Sequence, residues 1–292
     1  MQPQVAPSER SVLRSVAIPT EHGGWGLTCE PALVGLWVRP SVAGLCLGLA
    51  AVAAFVAKTP LRVVMVDRRR VRHLRRTTVA VRLLLVEVAV IAVLLGAAFA
   101  TASNRLFWLP ALAAAPLVGI ELWFDSRSKS RRLAPELAGA IGVGAVAPMI
   151  VLASAAEVTG GIGGSAPADL RLALALWMII AARVVASIPF VRAQIARIRG
   201  ASEARPAGGE GPAAGITTLP LWATDLAATA LAFAATAADL AVMAGAIAIV
   251  MLVALQRLSS LGEPQRAAII GAQQMMLGFF VVAATAIGAR LA

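Results

Sequence analysis

The chain has 292 residues, 59% of them hydrophobic, and a mean hydropathy of +0.83, well above what the interior of a soluble protein requires. Its 26 Lys and Arg outnumber its 15 Asp and Glu, giving a net charge of +11. In so apolar a chain that excess excludes a soluble nucleic-acid-binding domain and points instead to loops facing anionic lipid headgroups.

Crossing a bilayer as a helix takes about 20 predominantly apolar residues. Nine such segments fit the chain, so the predicted fold class is an all-α, polytopic transmembrane bundle. Residues 1–20 read as a tail that carries Arg10 and Arg14 but lacks the apolar core of a secretory signal. Residues 21–292 read as one transmembrane domain. The first span is predicted from Glu21 to Val38 and the second from Ser41 to Ala57, with Arg39 and Pro40 turning between them. Lys58 to Thr77 holds eight basic residues and is read as a loop. Span three runs from Thr78 to Thr101 and span four from Leu106 to Phe124. The basic loop of Arg127, Lys129, Arg131 and Arg132 follows. Span five, Pro135 to Ala156, places proline at the start of its helix. The Gly-rich stretch Glu157 to Asp169 lacks Lys and Arg and is read as an external loop. Span six, Leu170 to Val191, leads into Arg192, Arg197, Arg199 and Arg205, and residues 199–218 are expected to form a flexible linker. Spans seven (Leu219 to Ala237) and eight (Leu240 to Leu255) form a hairpin, and span nine runs from Ala267 to Ala289.

Counted around these spans, 20 Lys and Arg fall on one side, 4 on the other and 2 within helices. The positive-inside bias then places the N-terminus and the basic loops in the cytoplasm, as expected for a multi-pass protein of a bacterial plasma membrane. Cys29 and Cys46 both lie in apolar spans without metal-ligand spacing, so no metal site and no cofactor is expected.

Ionisable side chains are costly within hydrocarbon and mark function or interhelical contact. Glu30 lies in span one, Arg82 and Glu87 in span three, Arg183 in span six and Asp225 in span seven, all toward the basic side. Arg183, Ser187, Phe190 and Gln194 share one helical stripe. Arg183 is read either as a guanidinium fork for a phosphate or carboxylate, or as the partner of Glu30, Glu87 or Asp225. His22 and Glu30 are the candidate catalytic proton-transfer groups, although Glu21 and His22 also suit a helix start. Arg62, Arg82, Glu87, Arg183, Ser187, Arg192 and Asp225 are the candidate substrate-binding residues. Glu121 and Asp125, one turn apart, have the spacing to bind Mg²⁺. A surface ion pair from Asp125 to Lys129 and its neighbours is the expected alternative. Gln273 and Gln274 are read as interhelical hydrogen-bonding groups, and His73 as a solvated member of the basic loop.

The stretch Pro19-Thr20-Glu21-His22-Gly23-Gly24-Trp25, with Pro31 beyond it, resembles the Pro-x-Glu-His-Gly-x-Trp signature of the YwiC-like family of bacterial membrane proteins. Lys58, Pro60 and Leu61, and then Arg183, Ser187, Val191 and Arg192, are similar to that family's Lys-x-Pro and Arg-to-Val-Arg elements. The resemblance implies a polytopic membrane protein with no assigned activity. A more distant architectural similarity is to UbiA-type intramembrane prenyltransferases, whose loops after the second and sixth spans carry aspartate-rich Mg²⁺ motifs. Here those loops hold only Asp67, so the UbiA-like arrangement implies a cytoplasm-facing cavity in which arginines replace the metal.

Three functions follow. The first is binding, with or without modification, of an anionic amphipathic lipid such as an isoprenoid phosphate. The second is secondary transport of a small organic anion, with Glu30, Glu87 and Asp225 as coupling groups. The third is a non-catalytic scaffold or assembly factor. The expected partners are membrane lipids and no nucleic acid, with a homo-oligomer or a membrane-complex partner left open.

Overall fold

A computed structural model describes residues 22–71, 75–127, 132–155, 166–203, 220–263 and 265–292. The expectations on residues 1–21, His73, Lys129, Arg131, the stretch 157–165 and the linker 204–218 therefore lie outside the described residues. All regular structure among those described is helical: α1 (His22–Val38), α2 (Val42–Arg69), α3 (Arg75–Thr101), α4 (Leu109–Ser126), α5 (Leu133–Val143), α6 (Val146–Ala153), α7 (Ala166–Glu203), α8 (Leu221–Ala238), α9 (Met243–Ser260) and α10 (Ala267–Leu291). Short 3₁₀ turns, Arg105–Trp108 and Leu240–Val242, lead into α4 and α9.

Among the described residues eight segments, with α5 and α6 counted as one, are long and apolar enough to cross a membrane. The 17 residues of α1 fall short of that length and pack among α2, α6 and α10. The polytopic helical fold read from the sequence is borne out. The C-terminal ends of α2, α4, α7 and α9 carry or adjoin most of the basic residues in the sequence and mark one end of the bundle. It is called the basic end below.

Two loops expected from charge are helix instead. α2 continues through Lys58 and Pro60 to Arg69, because the missing N–H of one proline is tolerated where Leu61 to Val66 offers an apolar face. Val64 of this extension packs on Ala80 of α3. The hairpin is closed by Asp67, whose buried carboxylate accepts from Arg76 Nη2 at 2.8 Å, Arg76 Nε at 3.2 Å and Thr77 Oγ1 at 2.7 Å. α7 likewise begins at Ala166, within the expected external loop, and runs through Pro189, Arg192 and Arg199 to Glu203. Positive charge marks the side of the membrane on which a residue lies, and a helix that outgrows the bilayer carries that charge without unwinding.

The fifth span is broken. Pro148 cannot donate to the carbonyl of residue 144 and its ring crowds it, so the chain turns at Gly144 and Ala145 between α5 and α6. A break in hydrocarbon frees backbone groups that need partners. Trp177 of α7 supplies one, its indole N–H donating to the Ile141 carbonyl at 2.9 Å. Pro135 is accordingly the third residue of α5 rather than its first.

The core sits where α6 and α7 meet α1 and α9, with Ile150, Val151, Leu176, Ile179, Ile249 and Leu252 fully enclosed. Close helix approach rests on small residues. A Cβ on Gly35 of α1 would lie 2.9 Å from Ile150 Cβ and 3.1 Å from the Ala147 carbonyl, so α1 and α6 touch backbone to side chain. At the opposite end, Arg39 meets Asp169 at 3.1 Å and Ser103 N–H donates to the Ala153 carbonyl at 2.9 Å.

Candidate functional site: a polar network behind an intramembrane groove

Arg183 is 17 residues into α7, and its guanidinium is almost wholly buried, 3% exposed. A buried guanidinium is tolerated when acceptors meet most of its donors. Nη2 donates to the Gln274 carbonyl at 2.6 Å and to Glu30 Oε1 at 3.3 Å. Nη1 donates to Ser187 Oγ, one turn along the same helix, and to Gln274 Oε1 at 3.4 Å. Gln256 of α9 adds its amide, with Nε2 donating to Gln274 Oε1 at 3.1 Å and to Ser187 Oγ at 3.4 Å. Four helices, α1, α7, α9 and α10, are thereby joined by one network.

Gly278 makes this closeness possible. It stands one turn beyond Gln274 on α10, and a Cβ there would collide with Glu30 Oε1 and lie 2.7 Å from Arg183 Nη2. Two polar atoms of the network have no hydrogen-bond partner in the structure, Arg183 Nε and Gln256 Oε1.

Against the network lies a groove of roughly 380 Å³ between α9 and α10, lined by Leu255, Gln256, Leu258, Ser259, Gln273, Gln274, Met276 and Leu277. That size is within the range of about 300–1,000 Å³ typical of small-molecule sites. Its outer rim is lipid-facing, since Leu258 is 63% exposed and Met276 74%. Gln256 lies four residues before the end of α9 and Gln274 seven residues after the start of α10. At about 1.5 Å per residue, the polar floor therefore sits about 6–10 Å in from the basic end. No Lys, Arg, Asp or Glu lines the groove.

Of the residues singled out in the sequence, the structure brings together Glu30, Arg183 and Ser187, and Arg183 takes Glu30 as its ion-pair partner. The other candidates lie elsewhere. Arg192 meets Glu136 of α5 at 2.9 Å, and Asp225 of α8 is bound by Arg257 of α9. Arg62 is half-buried on α2. Arg82 and Glu87 lie on α3, which packs chiefly against α2. Arg82 is exposed, while Glu87 is half-buried, with Oε2 lacking a hydrogen-bond partner. His22 is the first described residue of α1, and its side chain lies outside what is described.

Asp125 is not at the surface, and its expected partners Lys129 and Arg131 lie outside the described residues. Asp125 is 2% exposed, and neither of its carboxylate oxygens has a hydrogen-bond partner among the described residues. Glu121, one turn earlier, is instead held by Lys58 of α2. Among the described residues no group of three or more His, Cys, Asp or Glu has the geometry to hold a metal ion.

Sequence reasoning missed Gln256 and Gly278. Gln256 precedes Arg257 at the end of a span and so reads as the start of a loop. The usable signal is its spacing from Ser259 and Leu252, which sets it on the inward face of α9. Gln274 was legible as an interhelical hydrogen-bonding group.

The helices and the buried network define a multi-pass helical membrane protein with an ion pair held inside the bundle. Over residues 18–151 the chain matches the family model described as YwiC-like protein, which bears out the resemblance carried by the Glu-His-Gly-x-Trp signature and the Lys-x-Pro element. That segment includes Glu30, whereas Arg183, Gln256 and the groove lie beyond it. No curated protein matches the chain and no solved structure does, so the UbiA-type comparison rests on loop positions alone.

Proposed function

We propose that this protein binds an amphipathic lipid within a bacterial plasma membrane, with the lipid tail in the groove between α9 and α10 and its head toward the basic, cytoplasmic end. The observation that carries this reading is the make-up of the groove. Leucine and methionine side chains form its rim, open to the bilayer, and its only polar surface is the wall contributed by Gln256, Ser259, Gln273 and Gln274. Such a surface suits a ligand that is apolar along its length and polar at one end. Transport would require Glu30, Glu87 and Asp225 to share a path, and they sit on α1, α3 and α8 in separate surroundings.

Native mass spectrometry of protein extracted in mild detergent tests the proposal. A retained lipid adduct is expected in the wild type and is lost in Ser259→Trp, which fills the groove without touching Arg183 or Glu30. An adduct of unchanged mass and occupancy in Ser259→Trp would overturn the reading.

A further inference from the structure

The lipid-binding reading leaves the chemistry of the head open, and the hydrogen-bond balance of the network narrows it. We propose that the groove takes an uncharged lipid whose head donates a hydrogen bond, as a long-chain lipid alcohol does, with Gln256 Oε1 as the acceptor. This inference rests on the preceding one.

Two observations carry it. The first is charge. The groove walls hold amides and one hydroxyl but no cation, and the guanidinium behind them is already compensated by Glu30 at 3.3 Å. The arginines are engaged or on other helices: Arg192 is paired with Glu136, Arg257 with Asp225, Arg197 is bound to the Ser260 and Gly262 carbonyls at the turn after α9, and Arg62 and Arg82 lie on α2 and α3. A phosphate entering this groove would lose its hydration without gaining a counter-ion, which is a large penalty.

The second is the direction of the hydrogen bonds. Arg183 Nη1 and Gln256 Nε2 both donate to Ser187 Oγ and to Gln274 Oε1. This fixes which end of the Gln256 amide is nitrogen, because reversing it would set two acceptor oxygens against each other. The oxygen is left over. Gln256 is 3% exposed and its Oε1 has no partner, which is unfavourable for a buried acceptor. Gln256 is also a wall residue of the groove. A hydroxyl lying in the groove against Gln256 would supply the donor that this oxygen lacks. A ligand that only accepts hydrogen bonds leaves this atom unsatisfied.

The test uses delipidated full-length protein titrated in detergent with geranylgeraniol, geranylgeranyl monophosphate and the corresponding C20 hydrocarbon. The alcohol is expected to bind about tenfold or more tightly than either of the others, the difference one hydrogen bond to a buried acceptor makes. Gln256→Leu should remove that advantage. Hydrocarbon binding by the same variant should be unchanged and serves as the control for folding. Equal or tighter binding of the phosphate, equal binding of the hydrocarbon, or an unchanged alcohol affinity in Gln256→Leu would overturn the proposal while leaving a lipid site in place. Failure of all three compounds to bind, or binding insensitive to Ser259→Trp, would overturn the underlying lipid-binding reading as well.

Discussion

α3 and α7 are both long apolar helices with an arginine set within them, and they end in opposite surroundings. The most apolar stretch of α3 has the higher mean hydropathy, 2.7 against 2.1, yet only 6% of it is buried in the protein against 67% for α7. Hydropathy reports the affinity of a segment for the bilayer as solvent, and the most apolar helix is best suited to face lipid. The helix that can afford polar atoms is the one that other helices surround. Arg82 on α3 is exposed and can extend its stem toward the basic interface, whereas Arg183 on α7 has no such route and depends on acceptors from α1 and α10 and on Ser187 of its own helix.

The contrast is sharpest in the effect of removing each charge. Arg183→Ala should be the most damaging single change, since it leaves the Glu30 carboxylate buried without its partner. By analogy with other broken buried pairs the loss is about 3–5 kcal/mol, seen as a large fall in the unfolding midpoint in detergent. A midpoint unchanged by this substitution would show that the network contributes nothing to the fold. Replacing both partners, Arg183→Met with Glu30→Leu, should recover much of that stability, because an apolar pair of similar volume avoids the desolvation of two charges. Gly278→Ala comes next. With no room for a Cβ against Glu30 and Arg183, the helices must shift, at a cost of about 1–3 kcal/mol, measured in the same unfolding assay. On α3, Glu87→Gln should leave the midpoint unchanged or raise it slightly, since it removes a charge from a transmembrane helix without breaking a hydrogen bond to Oε2. A loss comparable to that of Arg183→Ala would equate the two helices and dissolve the comparison.

The same contrast explains how much was legible beforehand. The number of membrane segments follows from apolar length alone, so the bundle could be read from residue to residue. The stripe of Arg183, Ser187, Phe190 and Gln194 was also legible, because all four lie on one helix and periodicity sets their face. That Arg183 takes Glu30 rather than Glu87 or Asp225 was not, because the choice is made by packing between α1, α7 and α10, residues far apart in sequence. Lys58 and Arg192 misled in another way. Their charge marks a side of the membrane, but α2 and α7 continue past that boundary as helix, and both side chains are spent on Glu121 and Glu136 of neighbouring helices. Asp125 shows the converse, a carboxylate beside a basic stretch in the sequence that is buried in the bundle.

The origin of the partners of Arg183 also bears on biosynthesis. Its ion-pair carboxylate precedes it by 153 residues, but the carbonyl that binds it at 2.6 Å is made 91 residues later. During translation α7 must therefore wait in the bilayer with one of its strongest acceptors unmade, and the structure predicts that a chain halted after Ser260 is left with an incompletely solvated guanidinium. Such truncated chains should be cleared by membrane proteases faster than chains halted after Leu291, and pulse-chase labelling of the two would show equal lifetimes if the late contact were dispensable.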